Sequence, residues 1–588
     1  MLDGLIKNGT VVDGTGAPAF VADVGIRGGR IVAVGQVDEP ALHTLDATGL
    51  WITPGFVDIH THYDGQVTWD ECFTPSIYHG VTTVVMGNCG VGFAPKRPGH
   101  EGDLIKLMEG VEDIPGAALH EGIRWNWESF PQYMDALAVT PRSLDYLVQV
   151  PHDPLRMYVM QERALAHEKA TAQDIEAMRA LLRQALQAGA AGFSTGRSDN
   201  HRTSDGKDTP AANAGLDELT GLAQAFEDFS HGVVQIVSDF NLLNGPDPFD
   251  AEFDCVEALA RASGKPVSMT WLQRDPGGEQ YLKIQERVEA AVQAGLPLYM
   301  QTAVRGIGVL NGLDASFHPF MGFPSYKEVA HLPLAERAQA LRDPARKARI
   351  LSEKSERLAG DGSAIPPLVD ILLAKIDLIS GRMFALEDTL NYEPSVMQSF
   401  LVRAKQAGIT PLEAMYDHLT AGSGQGLIYF PIFNYNEGSL DAVRRMLDHP
   451  RALSSLSDAG AHVGTVCDAS FPTFMLTHWV RDHLEGRGRE AIPLETAVEM
   501  LTRRNARYLG LSDRGVIAPG MRADLNAIDP QRLSVGLPRL VRDLPAGGKR
   551  FVQKAEGYVA TWVAGELVQR EGEITAARPG RLVRMGQA

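Results

Sequence analysis

From residue 55 to about residue 300, apolar residues come in short unbroken runs instead of alternating with polar ones. Such runs start near Gly55, Val81, Leu144, Ala190, Val233, Pro266 and Pro297, and an eighth starts near Ala452. Strands covered on both faces read this way, as in parallel sheets layered with helices. The intervals between them carry a helical period. In 171–188, Ile175, Met178, Leu181, Leu182 and Leu186 share one face; Thr171 and Asp174 form a start signal, and Gly189 ends the segment. Eight strands alternating with helices predict an α/β fold, a (β/α)8 TIM-like barrel over residues 55–513. The interval 304–451 is too long for one crossover and is expected to hold an inserted helical subdomain or lid between strands 7 and 8.

Both ends of the chain follow another pattern. Residues 1–54 contain short apolar runs at Leu5-Ile6, Thr10–Val12, Ala22–Ile26 and Arg30–Val34, separated by Gly and Asp turn signals. Residues 514–588 behave alike, with runs at Arg522–Ile528 and Tyr558–Gly565. Neither half is large enough alone, so the two predict one small β-sandwich domain built from both termini.

Composition narrows the function. The chain has 588 residues, 44% hydrophobic and 22% charged, which is ordinary for a soluble globular protein. A net charge of −18 offers no basic footprint for nucleic acid or an anionic membrane, and it fits a small-molecule substrate. Cys72, Cys89, Cys255 and Cys467 are too few for a disulfide framework. There is no signal-peptide pattern at the N-terminus and no apolar run long enough to span a bilayer. The expectation is a cytoplasmic protein, and a homo-oligomer stays open.

Barrels of this kind place their sites at the C-terminal ends of the strands. The first strand ends in His60 and His62, which share a face at i and i+2 and suit one metal ion. Cys89 follows the second strand, and His152 follows the third. Ser194 and Arg197 end the fourth, Asp239 the fifth, Gln273 the sixth, and Asp458 and His462 the eighth. Each has a plainer alternative. Cys89 packs well as a small buried residue. His152 can cap the turn Pro151–Pro154. Arg197 can hold a substrate carboxylate bidentately or form a salt bridge. Ser194 can satisfy its own strand end. Asp239 and Gln273 suit hydrogen bonding in a pocket. His462 suits a ligand, a proton shuttle or an oxyanion donor. His318 falls in the insertion and can line a lid.

Three segments resemble the amidohydrolase superfamily: Pro54–His62 after an N-terminal sheet, the late Ser457–Gly460, and Ala518–Leu525. Within it, His60–Asp64, Gly87–Gly90 and Ala191–Gly196 resemble the N-acyl-D-amino-acid deacylase (D-aminoacylase) branch. The resemblance covers nearly the whole chain outside 304–451. It implies that His60, His62 and Asp458 bind a first metal. It implies that Asp458 takes a proton from the metal-bound water and passes it to the leaving amine. It also implies that Cys89 binds a second, tighter metal and that Ser194 lies in the pocket.

The chain departs from that branch at strands five and six. The deacylases end both with histidines that complete the cysteine site. Here the ends read Val237-Ser238-Asp239 and Met269–Gln273, and His231 precedes its strand, at the barrel's other end. One divalent metal is therefore expected instead of two. Zinc is the first choice, and iron and manganese also suit the donors. His60, His62 and Asp458 hold it, with Cys89, His152 or His462 as extra ligands. The expected activity is metal-dependent hydrolysis of an amide-type C–N bond, and the resemblance implies an N-acyl (D-)amino acid or a related small molecule as the substrate. The competitors are a single-metal lyase or C–C hydrolase, and a non-catalytic scaffold barrel. Retention of His60, His62 and Asp458 argues against the scaffold.

Overall fold

The structure is a computed structural model that describes residues 1–198, 200–240, 246–274, 277–359, 365, 367–387, 390–484 and 490–587. The N-terminal runs form β1 (Leu2–Val11), β2 (Phe20–Arg27), β3 (Arg30–Gly35), β4 (Ala41–Asp46) and β5 (Trp51–Pro54). The runs at Leu5 and Thr10 belong to one strand, kinked by a register shift between Ile6 and Gly9.

The barrel strands are β6 (Phe56–Asp58), β7 (Val81–Met86), β8 (Asp145–Pro151), β9 (Gly192–Arg197), β10 (Val233–Ser238), β11 (Val267–Thr270) and β12 (Leu298–Thr302). The insertion then adds β13 (Ile307–Asn311), β14 (Phe384–Leu386) and β15 (Leu427–Phe433), and β16 (Ala452–Ser454) is the last barrel strand. Every residue of β7, β8, β10 and β11 is buried, as unbroken apolar runs require. The eight strands lie in parallel, in chain order from β6 to β12 and then β16. A parallel bridge between Thr61 and Ala459 joins the first and last strand ends. There the His62 amide donates to the Ala459 carbonyl at 2.8 Å. This closure puts the two histidines next to Asp458. Between strands, the helix Ala172–Gln187 starts at the anticipated capping box, Thr171 with Asp174.

The insertion is not purely helical. Its aromatic-rich β15 pairs antiparallel with β13 and β14, and its helices pack on a core that includes Leu313, Phe320, Tyr326 and Tyr416. His318 lies in that core, its Nε2 2.8 Å from the Tyr326 hydroxyl, so it lines no lid.

The terminal segments share one nine-stranded sheet. β17 (Leu525–Ile528), β22 (Tyr558–Val563), β23 (Glu566–Arg570) and β24 (Glu573–Ile574) join β1–β5 in it. Between β17 and β22 the chain leaves this sheet. There β18 (Ser534–Val535) pairs with β21 (Ala555–Glu556), and β19 (Arg539–Val541) pairs with β20 (Arg550–Val552). The β19–β20 pair reaches the barrel mouth, where the Phe551 amide donates to Val463 at 2.7 Å. The last residues run back to β8, with the Val583 amide donating to Tyr146 at 2.8 Å. Short-run patterning predicts strands here but cannot say which sheet each joins.

Candidate metal centre

Four donors converge where the barrel closes. The His60 Nδ1–H donates to Gln301 Oε1 at 2.6 Å, which turns the Nε2 lone pair inward. That Nε2 lies 3.2 Å from Cys89 Sγ and 3.3 Å from Asp458 Oδ1. The His62 Nε2 is 3.8 Å from the same carboxylate oxygen, and its Nδ1 is 3.2 Å from Glu112 Oε1. The ligand atoms of His60, His62 and Cys89 all lie within 4.8 Å of one another.

Local backbone places these groups. Cys89 has φ +57° in a turn after β7, where its amide donates to Gln235 Oε1 at 2.7 Å. Gly90 must be glycine, because a Cβ there would sit 2.7 Å from the Gly196 amide nitrogen. After β16, Leu456, Asp458 and His462 all have positive φ, a left-handed stretch of non-glycine backbone of the kind that clusters at functional sites. A small cleft borders Asp458, with Gln66, Cys467, Asp468, Arg550 and Phe551 in its wall.

The electrostatics suit a cation. Burial holds His60 below the usual imidazole range and His62 well below it; the neighbouring rings of His60, His462 and His201 add to the effect on His62. Both are neutral and offer lone pairs. Burial pushes the Cys89 thiol well up, helped by the charges of Glu112, Asp458 and Asp64. Burial, then Asp458 and Asp64, pushes Glu112 well up, while burial takes Asp58 and Asp64 to about 7. The acidic groups thus oppose one another's ionisation, and a divalent ion would relieve that repulsion and draw off the thiol proton. Two imidazoles, a thiol and a carboxylate are a donor set that fits zinc.

The remaining sequence candidates are held elsewhere. Arg197 makes a bidentate pair with Glu252 at 2.5 and 2.9 Å and donates to the Ala214 carbonyl, so it has no free face for a substrate carboxylate. His152 is buried between Thr195 Oγ1 at 2.9 Å and Glu218 Oε1 at 3.1 Å, which occupies both ring nitrogens and removes it as a ligand. The Ser194 hydroxyl donates to Gly87 O at 2.5 Å and accepts from the Gly90 amide at 3.0 Å. It fixes the Cys89 turn instead of facing a substrate. Gln273 is buried against the insertion, exchanging hydrogen bonds with Asn434, accepting from the Asn436 amide and donating to Glu437. Asp239 accepts from the Ser198 hydroxyl at 2.8 Å and lies 3.7 Å from Arg274. His462 stands at the rim, its Nε2 3.7 Å from Glu112 Oε2.

Two positioning groups escaped the strand-end reading. One is Gln301, near the end of β12. The other is Glu112, the last residue of α1 (Glu101–Glu112), between His62 and His462. Its signal was present. It continues the buried stripe of Leu104, Leu107, Met108 and Val111, where a carboxylate needs a reason.

The amidohydrolase family model matches residues 43–569. A D-aminoacylase of Alcaligenes xylosoxydans xylosoxydans is 27% identical over 587 residues, 99% of this chain and 97% of that protein. An N-acyl-D-glutamate deacylase of the same organism is 33% identical over 265 residues, 45% of this chain and 48% of its own length. The solved N-acyl-D-glutamate deacylase of Bordetella bronchiseptica, complexed with zinc and a phosphonate mimic of its tetrahedral intermediate, superposes with a TM-score of 0.61 at 25% identity, covering 99% of each chain. With that family model spanning most of its length, the chain belongs to the amidohydrolase family and is a metal-dependent hydrolase acting on C–N bonds.

Proposed function

We propose that the protein hydrolyses the amide bond of N-acyl amino acids using one divalent ion, with zinc the best match. The convergence of His60, His62, Cys89 and Asp458 carries this reading. It draws support from the deacylases among the relatives. A divalent ion bound by these residues supplies Lewis acidity, polarising a carbonyl and acidifying water.

The chain's own groups do the rest. Asp458 is partly exposed beside its cleft, the only one of the four donors that solvent reaches to that extent, and it sits 3.3 Å from His60. Its carboxylate takes the proton of the attacking water and returns it to the leaving amine nitrogen. Gln301 holds the His60 ring by a hydrogen bond and Glu112 lies 3.2 Å from His62 Nδ1, and both Nε2 atoms are turned towards Asp458. The buried strand ends around them exclude bulk water and strengthen these interactions.

The test is turnover of N-acetyl-D-amino acids, and of their L counterparts, before and after removal of metal with a chelator. Amide hydrolysis that disappears on chelation and returns with zinc supports the reading. A zinc-loaded protein inert on every N-acyl amino acid tried defeats it.

A further inference from the structure

His201 lies in the loop after β9, a region that strand-end reasoning passes over. The loop is firmly held. The His201 amide donates to the Ser198 carbonyl at 3.2 Å, and the Ser198 hydroxyl donates to Asp239 at the end of β10. Beyond it, Arg202 and Asp208 bridge, and the Ser204 amide donates to Lys106 of α1 at 2.9 Å. Gly110 lets the loop lie directly on that helix, since a Cβ there would be 2.2 Å from the Arg202 carbonyl oxygen. So α1 supports the loop with Gly110 and reaches the metal donors with Glu112, two residues on.

The ring itself is unusual. Its Nδ1 is closed off from solvent and has no hydrogen-bond partner among the described residues. Buried polar atoms are nearly always paired, so an orphan calls for an explanation. The loop leaves the C-terminal end of β9, is tied to Asp239 at the end of β10 and lies on α1 two residues before Glu112, which stands against His62, so the ring is on the strand-five side of the mouth, within the field of Asp239, His462, Asp458 and His60. Burial is the main cause that brings its pKa down to about 4, and the ring is neutral, with one N–H to give. His462, the other imidazole at the rim, is turned towards Glu112.

We propose that His201 is a substrate-contacting catalytic residue, whose Nδ1–H donates to the scissile carbonyl oxygen as it takes up negative charge. The inference rests on the hydrolase reading above and adds a named donor to it.

The experiment compares wild type, His201→Ala and His201→Gln in three readouts: turnover of an N-acetyl amino acid, zinc affinity by chelator competition, and binding of a phosphonate analogue of that substrate to the zinc-loaded protein. Removal of an oxyanion donor lowers kcat by about 10²–10³-fold. His201→Ala is expected to show that loss in kcat, with KM and zinc affinity held within about twofold. Phosphonate binding should weaken much more than substrate binding, and His201→Gln, which keeps an N–H, should recover part of both losses. Thermal melting of each variant separates a folding defect from a chemical one, and His201→Gln carries the test if His201→Ala does not fold. Unchanged kcat in a folded variant overturns the inference and leaves the hydrolase reading intact. A fall in zinc affinity overturns it by making His201 a ligand. A wild type that neither turns over N-acyl amino acids nor binds the phosphonate overturns both.

Discussion

The two sides of the barrel mouth are built alike and filled differently. On one side, β6, β7 and β16 lead to His60, His62 and Cys89, whose ligand atoms lie within 4.8 Å of one another, and to Asp458, 3.3 and 3.8 Å from the two imidazoles. On the other, β10 and β11 end in Asp239 and Gln273, which are tied to Ser198, Arg274 and the insertion. Both sides are buried and polar. The first has neutral imidazoles and carboxylates that raise one another's pKa, an arrangement that a cation stabilises. The second has hydrogen bonds already made and an arginine, Arg274, that donates to the Ser238 carbonyl at 2.9 Å. Polarity at a strand end is thus not enough to mark a metal site. What marks it is a set of ligand atoms brought to one place, His60, His62 and Cys89 within 4.8 Å of one another.

The sharpest test of that contrast is Asp458→Asn. It keeps the shape of the mouth but removes the base, and general acid–base groups contribute about 10²–10⁴-fold to rate. Activity on the best N-acyl substrate should fall by that factor, while the melting temperature holds. Retained activity would move the base to another group and break the assignment of the metal side.

Cys89 asks how many ions that side holds. Metal analysis should give one equivalent per chain, and two equivalents would restore the second site that β10 and β11 are expected to lack. The thiol also sets a pH dependence. Its pKa is raised, so at neutral pH it carries a proton that metal binding must release, whereas the lowered imidazoles of His60 and His62 release none. Affinity should therefore rise by about tenfold per pH unit between pH 6 and 8, and fall as pH falls. In Cys89→Ala the slope should flatten, and affinity should drop beyond the roughly 100-fold that outer-sphere changes reach. Chelator competition at several pH values reads both effects. A slope unchanged in the variant would show that Cys89 keeps its proton.

Much of this was legible in the chain. The unbroken apolar runs predict the barrel strands, and two histidines at i and i+2 had to share a face. The pairing of that strand's end with Asp458 was harder, since it depends on closure through Thr61 and Ala459 across some 400 residues of sequence. The β19–β20 hairpin over the mouth and the mixed insertion were not legible, because period and composition mark a strand without naming its neighbours. Arg197, His152 and Ser194 misled for one reason. Each stands at a strand end, where side chains point towards the mouth, but Glu252, Glu218 and Gly87 reach them first.

Glu112→Gln tests the orienting layer of the metal side. The amide keeps the size of the carboxyl group but cannot ionise beside His62 Nδ1 and His462 when a cation binds. Such changes cost about 10–100-fold in metal affinity, and a competition assay should show a loss in that range with little change in melting. Full affinity would reduce Glu112 to packing.

The smallest catalytic effect is expected on the other side, at Arg197. Its guanidinium gives one edge to Glu252 and its Nη1 to the Ala214 carbonyl, and the pair is nearly closed off, with side-chain exposures of 15% and 5%. Breaking a buried pair leaves an uncompensated charge and costs about 3–5 kcal/mol. Arg197→Met should therefore lower the melting temperature markedly. In the protein that remains folded, KM for the best N-acyl substrate should stay near the wild-type value, because this arginine meets a glutamate and not a ligand. Arg197→Met together with Glu252→Leu should regain part of the lost stability, since the pair is then replaced by apolar groups. A raised KM with stability intact would show that the bidentate pair opens for a substrate carboxylate, and the strand-four and strand-five corner would then belong to the site.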